Sequence, residues 1–260
     1  MLSTTRRLAL LIAGVVSLAA CQTAPVADAG FLSSYEGLET KTGTLRVSVR
    51  ERRDEALTAA VERLFVEPSQ LVPGAAGALA PEDVALVLGE VDRQVCYELS
   101  ERFTVLDAPA PDAAMVRVAV TRITPTEPVG SGLSAVAGAF IPGPIGVRPP
   151  GSTGMLAAEA ELVTTGGAQA AALAWARSAN VVGMDNPSLS RVGDALQFAE
   201  VFGDQVGDSF APADRPVRPV ADPDPCARFG PRDQPGGFLT RLVTGLYVPE
   251  TQGVRPQGAE

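Results

Sequence analysis

Two long segments with helical periodicity constrain the fold of this chain more than any other feature. In residues 80–103 apolar side chains recur every three or four positions, which predicts a helix with a single apolar stripe. Pro81 suits the first turn of a helix, and the acidic residues after it favour the positive end of the helix dipole. Residues 189–210 repeat the period, although three glycines weaken that helix. Packing on a sheet must therefore supply its stability, and both helices are predicted to form one layer.

Alternating apolar and polar residues predict the strands of that sheet. A first strand is predicted at residues 62–67, ahead of the first helix. Residues 103–128 then indicate two strands around a Pro-rich turn, and residues 155–177 a hairpin with a Thr-Thr-Gly-Gly turn. The solvated face of the hairpin is predicted to carry Glu159, Glu161 and Arg177. The predicted fold class is α+β: a mostly antiparallel four- to five-stranded sheet with two long helices on one face, in the order β-α-β-β-β-β-α.

The first 20 residues have the layout of a lipoprotein signal peptide. Two arginines precede the apolar run LALLIAGVVSLAA, which is too short to span a bilayer. The sequence LAAC resembles the lipobox of bacterial lipoproteins, which implies that Cys21 is acylated, forms the mature N-terminus and anchors the chain to the membrane. Gln22 stands where an aspartate would resemble an inner-membrane retention signal, so the analogy favours the outer membrane, facing the periplasm. The alternative is an ordinary signal peptide followed by an unrelated cysteine.

Composition excludes several classes of activity. Histidine is absent and Lys41 is the only lysine, which removes Ser–His–Asp and Cys–His catalysis and zinc sites with histidine ligands. From Cys21 onward the chain keeps 19 basic and 30 acidic residues, so its net charge is −11. Nucleic-acid binding relies on clustered Lys and Arg, and this charge argues against it. The sequence predicts no catalytic residue and no cofactor.

Two further cysteines predict a disulfide. With Cys21 acylated, Cys96 and Cys226 remain as one pair in an oxidising compartment. The alternative is two separate thiols, with Cys96 acting as a small buried hydrophobe.

No metal or nucleotide site is predicted. The stretch GSGLSAVAG lacks the Lys-Ser/Thr of a phosphate-binding loop. Four aspartates have a spacing that fits no EF-hand loop and are read as solvated: Asp204, Asp208, Asp222 and Asp224.

The long loop at residues 129–154 is the candidate partner-contact segment. It is too long for an ordinary hairpin connection, and its stretch AVAGAFIPGPIGV is apolar for an exposed loop. The hypothesis assigns contact with an envelope protein to Phe140, Ile141 and Ile145. The alternative is that these side chains tuck against the sheet edge or that the loop is simply flexible.

The predicted organisation has four parts. The signal peptide at residues 1–20 is followed by a flexible tether at 21–29, one α+β domain at 30–211 and a Pro/Gly-rich tail at 212–260. The tail contains a short apolar segment at 237–248, which is expected to dock on the body of the protein rather than on a membrane.

Several stretches together resemble a family of bacterial lipoproteins catalogued as domain of unknown function 3313. They are LAAC, GFLSSYEGL, LFVEPSQL, RFTVLDAPAPDAAMVRVAVTRITPTEP, AAEAELVTTGG and VGDALQFAEVFGDQV. The resemblance spans roughly residues 30–211. It implies this fold and an envelope location, and it implies no activity and no functional residue.

Three functions remain open on these grounds. The first is a non-catalytic, membrane-anchored lipoprotein that faces the periplasm and acts as an accessory or interaction module. The second is a periplasmic hydrolase that uses carboxylates alone, which would need a cleft holding two carboxylates with separated pKa values. The third is a lipid carrier, which would need an apolar cavity between sheet and helices. The first is the expectation.

Overall fold

A computed structural model describes residues 27–42, 47–127, 152–180, 185–232, 234–244 and 246–258, and the backbone of 146–147 and 182–183. The main sheet has eight strands: β1 (Glu39–Thr40), β2 (Val47–Arg53), β3 (Arg63–Val66), β4 (Gln70–Leu71), β5 (Thr104–Leu106), β6 (Ala114–Thr124), β8 (Met155–Val163) and β9 (Gln169–Ser178). Seven of them follow one another in the order β1-β2-β9-β8-β6-β3-β5, and β4 pairs with β6. A separate pair joins β7 (Gly146–Val147) to β10 (Val182–Gly183).

The α-helices in the described part of the chain are α1 (Glu55–Ala59), α2 (Pro81–Ser100), α3 (Gly193–Phe210) and α4 (Pro235–Thr244), and two short 3₁₀ helices lie in the tail at Ala227–Phe229 and Pro249–Gln252. The long helices α2 and α3 lie side by side on one face of the sheet, as predicted. Their apolar stripes meet alternate strand residues, and Trp175 of β9 packs against Phe202 of α3 with ring centroids 5.4 Å apart. At the helix crossing, a Cβ on Gly203 would lie 2.9 Å from the backbone of Gln94. Only glycine permits that close approach.

The α+β class is confirmed, but the predicted sheet of four to five strands is too small. Strand β2 pairs antiparallel with β9 along seven residues, from Val47 opposite Arg177 to Arg53 opposite Ala171. Strands β1 and β4 have two residues each, too short to show a period of two in sequence. The sheet stays mostly antiparallel, although β3 runs parallel to both β5 and β6.

The prediction of a solvated outer face on the hairpin is wrong. Glu159 and Glu161 do point away from the helices, but they are 3% and 0% exposed. The segment 27–36, which we call the N-terminal arm, lies across them. Arg177 is on the helix side of the sheet, where its guanidinium stacks 4.4 Å from the ring centre of Phe198 and pairs with Asp185 at 2.5 Å.

The C-terminal tail packs against the outer side of α2 as a further layer. The Cys96–Cys226 disulfide joins the two, with 5.9 Å between the Cα atoms. The Tyr97 hydroxyl donates to the Gly230 carbonyl at 2.6 Å, and Gln257 donates to Asp92 at 2.8 Å. Within the described residues, no helix is both long and apolar enough to cross a membrane.

Candidate binding site

The sequence-predicted site residues lie partly outside the described residues. Cys21 precedes them, and Phe140, Ile141 and Ile145 fall in the gap between residues 127 and 146. The predicted bond between Cys96 and Cys226 is present, and both residues are fully buried.

The ends of the candidate partner-contact loop meet at Asp194, the second residue of α3. Its carboxylate accepts a hydrogen bond from the Gly154 amide at 2.7 Å and one from the Thr126 hydroxyl at 3.1 Å. The same hydroxyl accepts from the Asp194 amide at 3.1 Å. Asp194 is fully buried, so an unpaired carboxylate here would be strongly unfavourable. Residues on both sides of the loop are therefore fixed to α3.

The N-terminal arm is attached to Glu159 through one tyrosine. The Glu159 carboxylate accepts from the Ala29 amide at 2.9 Å and from the Tyr35 hydroxyl at 2.6 Å. The hydroxyl of Tyr35 in turn accepts from the amides of Gly30 and Phe31 at 2.7 and 2.9 Å. Burial and the hydrogen bond to Glu159 raise the pKa of Tyr35 above its usual value, so it remains a donor. The Leu32 amide also donates to this hydroxyl at 3.3 Å, so one side chain accepts from three consecutive backbone amides.

Glu161 makes the second attachment of the arm. Its carboxylate accepts from the Ser33 amide at 2.8 Å, the Ser33 hydroxyl at 3.0 Å, Arg117 at 2.6 Å and Gln169 at 2.8 Å. Arg117 faces Glu161 directly in the β6–β8 register, and its guanidinium lies 5.1 Å from the ring centre of Phe31. A buried carboxylate with this many charge-assisted bonds fixes the chain between residues 29 and 35 to the sheet.

A cavity of about 510 Å³ opens on the other side of the protein, between the two long helices and the tail. We call it the tail pocket. Polar and aromatic residues line it, with Glu90, Arg93, Gln94 and Tyr97 from α2, Gln197 and Glu200 from α3, and Arg232, Phe238, Arg241, Tyr247 and Gln252 from the tail. Its size is in the range of small-molecule sites. Its walls are held by the disulfide and by the Arg93 bond to the Gln252 carbonyl at 3.0 Å.

The floor of the tail pocket is a buried ion pair. Arg93 donates to Glu90 Oε1 at 2.6 Å, and Gln94 donates to the same oxygen at 2.7 Å. Glu90 Oε2 and Arg93 Nε have no hydrogen-bond partner among the described residues. Burial raises the pKa of Glu90, although Arg93 favours its charged form. Glu200, at the rim, is exposed.

Acidic residues of α2 and α3 crowd together beside the pocket. Although Asp204 as a whole is exposed, partial burial of its carboxyl and repulsion from Glu98 and Glu200 raise its pKa from 3.8 to about 6. No group of three or more potential metal ligands is found among the described residues.

This cluster makes stability depend on pH. The folded protein holds a proton on Asp204 between its ordinary pKa and about 6, so the stability Asp204 contributes is present at low pH and is lost as pH rises through 6. We expect Asp204→Asn to raise the melting temperature by a few degrees near about pH 7.5, with the gain shrinking toward about pH 4.5. Thermal melts of both proteins at the two pH values measure this. A gain that is equal at both would contradict it.

The apolar segment at 237–248 docks on the body through Tyr247, whose carbonyl accepts from Ser188 at 2.8 Å, but not through the apolar side chains of α4. Four of its side chains, the α4 apolar face, are exposed: Phe238 by 60%, Leu239 by 56%, Leu242 by 69% and Val243 by 82%. Gly237 is the buried residue of α4. The sequence correctly indicates an apolar cluster here, but the expectation that its side chains face the body is wrong, because they face solvent. Tyr247, three residues beyond the helix, is the aromatic that reaches the interior, and burial raises its pKa.

Sequence reasoning also missed the tail pocket, because its residues come from three segments that no local pattern connects. One signal was present: Glu90, Arg93 and Gln94 share one side of the predicted helix. Polar residues opposite the apolar stripe of a helix are normally solvated, whereas here the tail covers them.

Comparison with known proteins gives a family and distant structural likenesses. No protein with a curated description matches the chain. Among solved structures, a PelC dodecamer from Paraburkholderia phytofirmans shares 12% identity at a TM-score of 0.36, covering 63% of this chain and 96% of that one. A form of the PelC dodecamer from the same organism with one substitution shares 10% identity at a TM-score of 0.36, covering 64% and 98%. The model of one family matches residues 27–206, most of the chain. The protein therefore belongs to the family described as Protein of unknown function (DUF3313).

Proposed function

We propose that this protein is a non-catalytic lipoprotein, acylated on Cys21, that acts as an accessory or interaction module on the periplasmic face of the outer membrane. The observation that carries the proposal is the attachment of the N-terminal arm. The chain bonds to Glu159 at Ala29 and to Glu161 at Ser33, directly after the proposed tether. A lipid anchor at Cys21 would therefore be connected to a segment that is bonded to the sheet. The disulfide supports an oxidising compartment.

The tether limits how far the domain can stand from the membrane. Ala29 lies eight positions after Cys21, and an extended chain of that length spans roughly 25–30 Å. The domain would stay close to the bilayer surface while remaining free to turn. Several acyl chains hold a protein on a membrane without a spanning helix, because each buried CH₂ contributes about 0.8 kcal/mol.

The tail pocket supports a binding role over hydrolysis. It does hold two carboxylates, Glu90 and Glu200, which is the arrangement that a carboxylate-dependent hydrolase needs. However, Glu90 Oε1 is occupied by Arg93 and Gln94, and Glu90 Oε2 is buried without contact to solvent. A general acid must reach the atom that it protonates. A lipid carrier is less supported, because this cavity lies between the helices and the tail, not between the sheet and the helices, and charged side chains line part of it.

The proposed partner contact is the loop that contains Phe140, Ile141 and Ile145. Its support is the fixation of both flanking residues, Thr126 and Gly154, to Asp194, which places the two ends of the loop beside the start of α3. Binding residues are often carried by loops on a rigid scaffold.

One experiment in intact cells tests both parts of the proposal. A photo-crosslinking amino acid replaces Phe140, and cells are grown with a labelled fatty acid. We expect the protein to carry the label, to fractionate with the outer membrane and to give a reproducible protein adduct. The control Cys21→Ser should lose the label and the membrane association and should greatly reduce the adduct, because the domain is no longer held beside its partner.

Two results would contradict the proposal. An unlabelled protein that is soluble with Cys21 intact would remove the anchor. An abundant, labelled protein that gives no adduct would remove the role of the loop.

A further inference from the structure

The α4 apolar face is a continuous surface with nothing from the described chain packed on it. At 100° per residue, Phe238, Leu242, Leu239 and Val243 fall within one stripe along α4. Their exposed fractions run from 56% to 82%, which amounts to several hundred Å² of apolar surface, on the order of the largest patch on a typical soluble monomer. Patches of this size usually contact something. Phe238 lies where the α4 apolar face meets the tail pocket, because its side chain also lines that pocket.

The charge around this face differs from the rest of the protein. Residues 212–260 contain six arginines and six acidic residues and are neutral as a segment, whereas residues 21–211 carry the whole net charge of −11. An anionic bilayer would repel the body, since like charges at a surface raise the free energy of approach. The tail is the part of the surface that can approach such a bilayer without this repulsion.

We propose that the α4 apolar face lies in the interfacial region of a phospholipid bilayer, with the helix parallel to the membrane plane. Interfacial helices combine an apolar side rich in Phe and Leu with a polar side that carries Arg or Lys. Helix α4 has this pattern over ten residues, with Arg241 and two threonines on its other positions. The helix packs on the rest of the tail through Gly237, where a Cβ would lie within 2.4 Å of the Gln252 side chain.

The tail pocket suits the headgroups beside such a helix. Glu200 lines it from α3 and Arg241 from α4, so the two walls carry opposite charges. A zwitterionic phosphoethanolamine headgroup has an ammonium for Glu200 and a phosphate for Arg241. This contact does not depend on the acyl chains proposed at Cys21, and it would turn the helix side of the domain toward the membrane.

Flotation of the unlipidated protein tests the proposal. The chain from residue 21 onward, without the predicted signal peptide and with Cys21→Ser, is mixed with vesicles of phosphatidylethanolamine and a minority of phosphatidylglycerol. We expect this protein to float with the vesicles. The further changes Leu242→Glu and Val243→Glu should reduce the bound fraction at least about tenfold, because each removes an apolar side chain from the bilayer and adds a charge.

Val217→Glu is the matched control. Val217 is 60% exposed in the same tail but lies outside α4, so flotation should stay unchanged. All three side chains are exposed, and the melting temperatures of the variants should match that of the parent within experimental error.

The proposal is overturned if the folded, unlipidated parent stays with the protein fraction below the vesicles. It is also overturned if the α4 variant floats as well as the Val217 variant. A parent that does not float but elutes as a dimer, with a monomeric α4 variant, would assign the face to a second copy of the chain instead.

Discussion

Replacing Cys226 with alanine is expected to lower the free energy of unfolding by roughly 4 kcal/mol. The bond to Cys96 closes a loop of 130 residues, and the loop-entropy model assigns about 4–5 kcal/mol to a loop of that length, less any strain. Alanine is chosen because both sulfur atoms are fully buried, and a serine hydroxyl there would add an unpaired polar group. The measurement is denaturant unfolding of the oxidised parent and the variant.

Controls separate the bond from the side chains. Cys96→Ala should have a similar effect, and the double variant should lose little more, since either change already removes the bond. The reduced parent should behave like the variants. If the Cys226→Ala curve superimposes on that of the oxidised parent, the bond contributes nothing to stability and the prediction fails.

The loss should appear first in the tail. Without the disulfide, the tail keeps its bonds from Tyr97 to Gly230, from Arg93 to Gln252 and from Gln257 to Asp92. Each contributes on the order of 1 kcal/mol, whereas ordering the backbone costs about 1–2 kcal/mol per residue, so we expect the tail to open before the sheet. Proteolysis in the Pro-rich stretch after α3 should therefore accelerate more than proteolysis within the sheet.

Local periodicity predicted the long elements of this fold well. The helix predicted at residues 80–103 is observed at Pro81–Ser100, and the one predicted at 189–210 at Gly193–Phe210. The starts differ because a cap depends on backbone conformation, and neither helix has a side-chain cap bond. Strands β1 and β4 are defined by their pairing with β2 and β6. Two residues are too few to show an alternating pattern, so the sequence does not predict these strands.

The candidate sites were less predictable because they depend on contacts across long sequence separations. The alternation in β8 correctly puts Glu159 and Glu161 on the side away from the helices. Whether that side is exposed to solvent depends on the N-terminal arm, which covers it and lies more than 120 residues earlier in the chain. A hint was available, since β9 presents alanines, Ala172 and Ala174, opposite these glutamates. Small apolar neighbours leave room for a covering segment.

The tail gives the converse case, in which residues predicted to be buried are exposed. A compact apolar cluster in a sequence is normally buried, and this reasoning placed residues 237–248 against the body. The structure instead buries Tyr247 and exposes the α4 apolar face. An amphipathic pattern shows that a helix has an apolar side. It does not show which surface, if any, covers that side.

Replacing Glu161 with alanine is expected to lower the free energy of unfolding by about 3 kcal/mol and to release the N-terminal arm. Breaking a buried ion pair by removing one partner costs about 3–5 kcal/mol, because the other charge is left without compensation. Arg117 keeps partial access to solvent, with 35% of its side chain exposed, which favours the lower end of that range. Amide exchange at Ala29 and Ser33 should accelerate by the largest factor.

Glu67→Gln is the matched control for this prediction, because it changes another carboxylate near the same arginine. Glu67 lies 3.9 Å from Arg117 and is 32% exposed, so its pair should contribute about 0–1 kcal/mol. Denaturant unfolding at neutral pH compares the two variants, and hydrogen exchange follows the arm. Equal small losses in both would mean that the arm rests on the sheet without depending on Glu161. A large loss confined to Glu161→Ala, with fast exchange at Ser33, would mean that this one carboxylate connects the sequence after the proposed tether to the sheet.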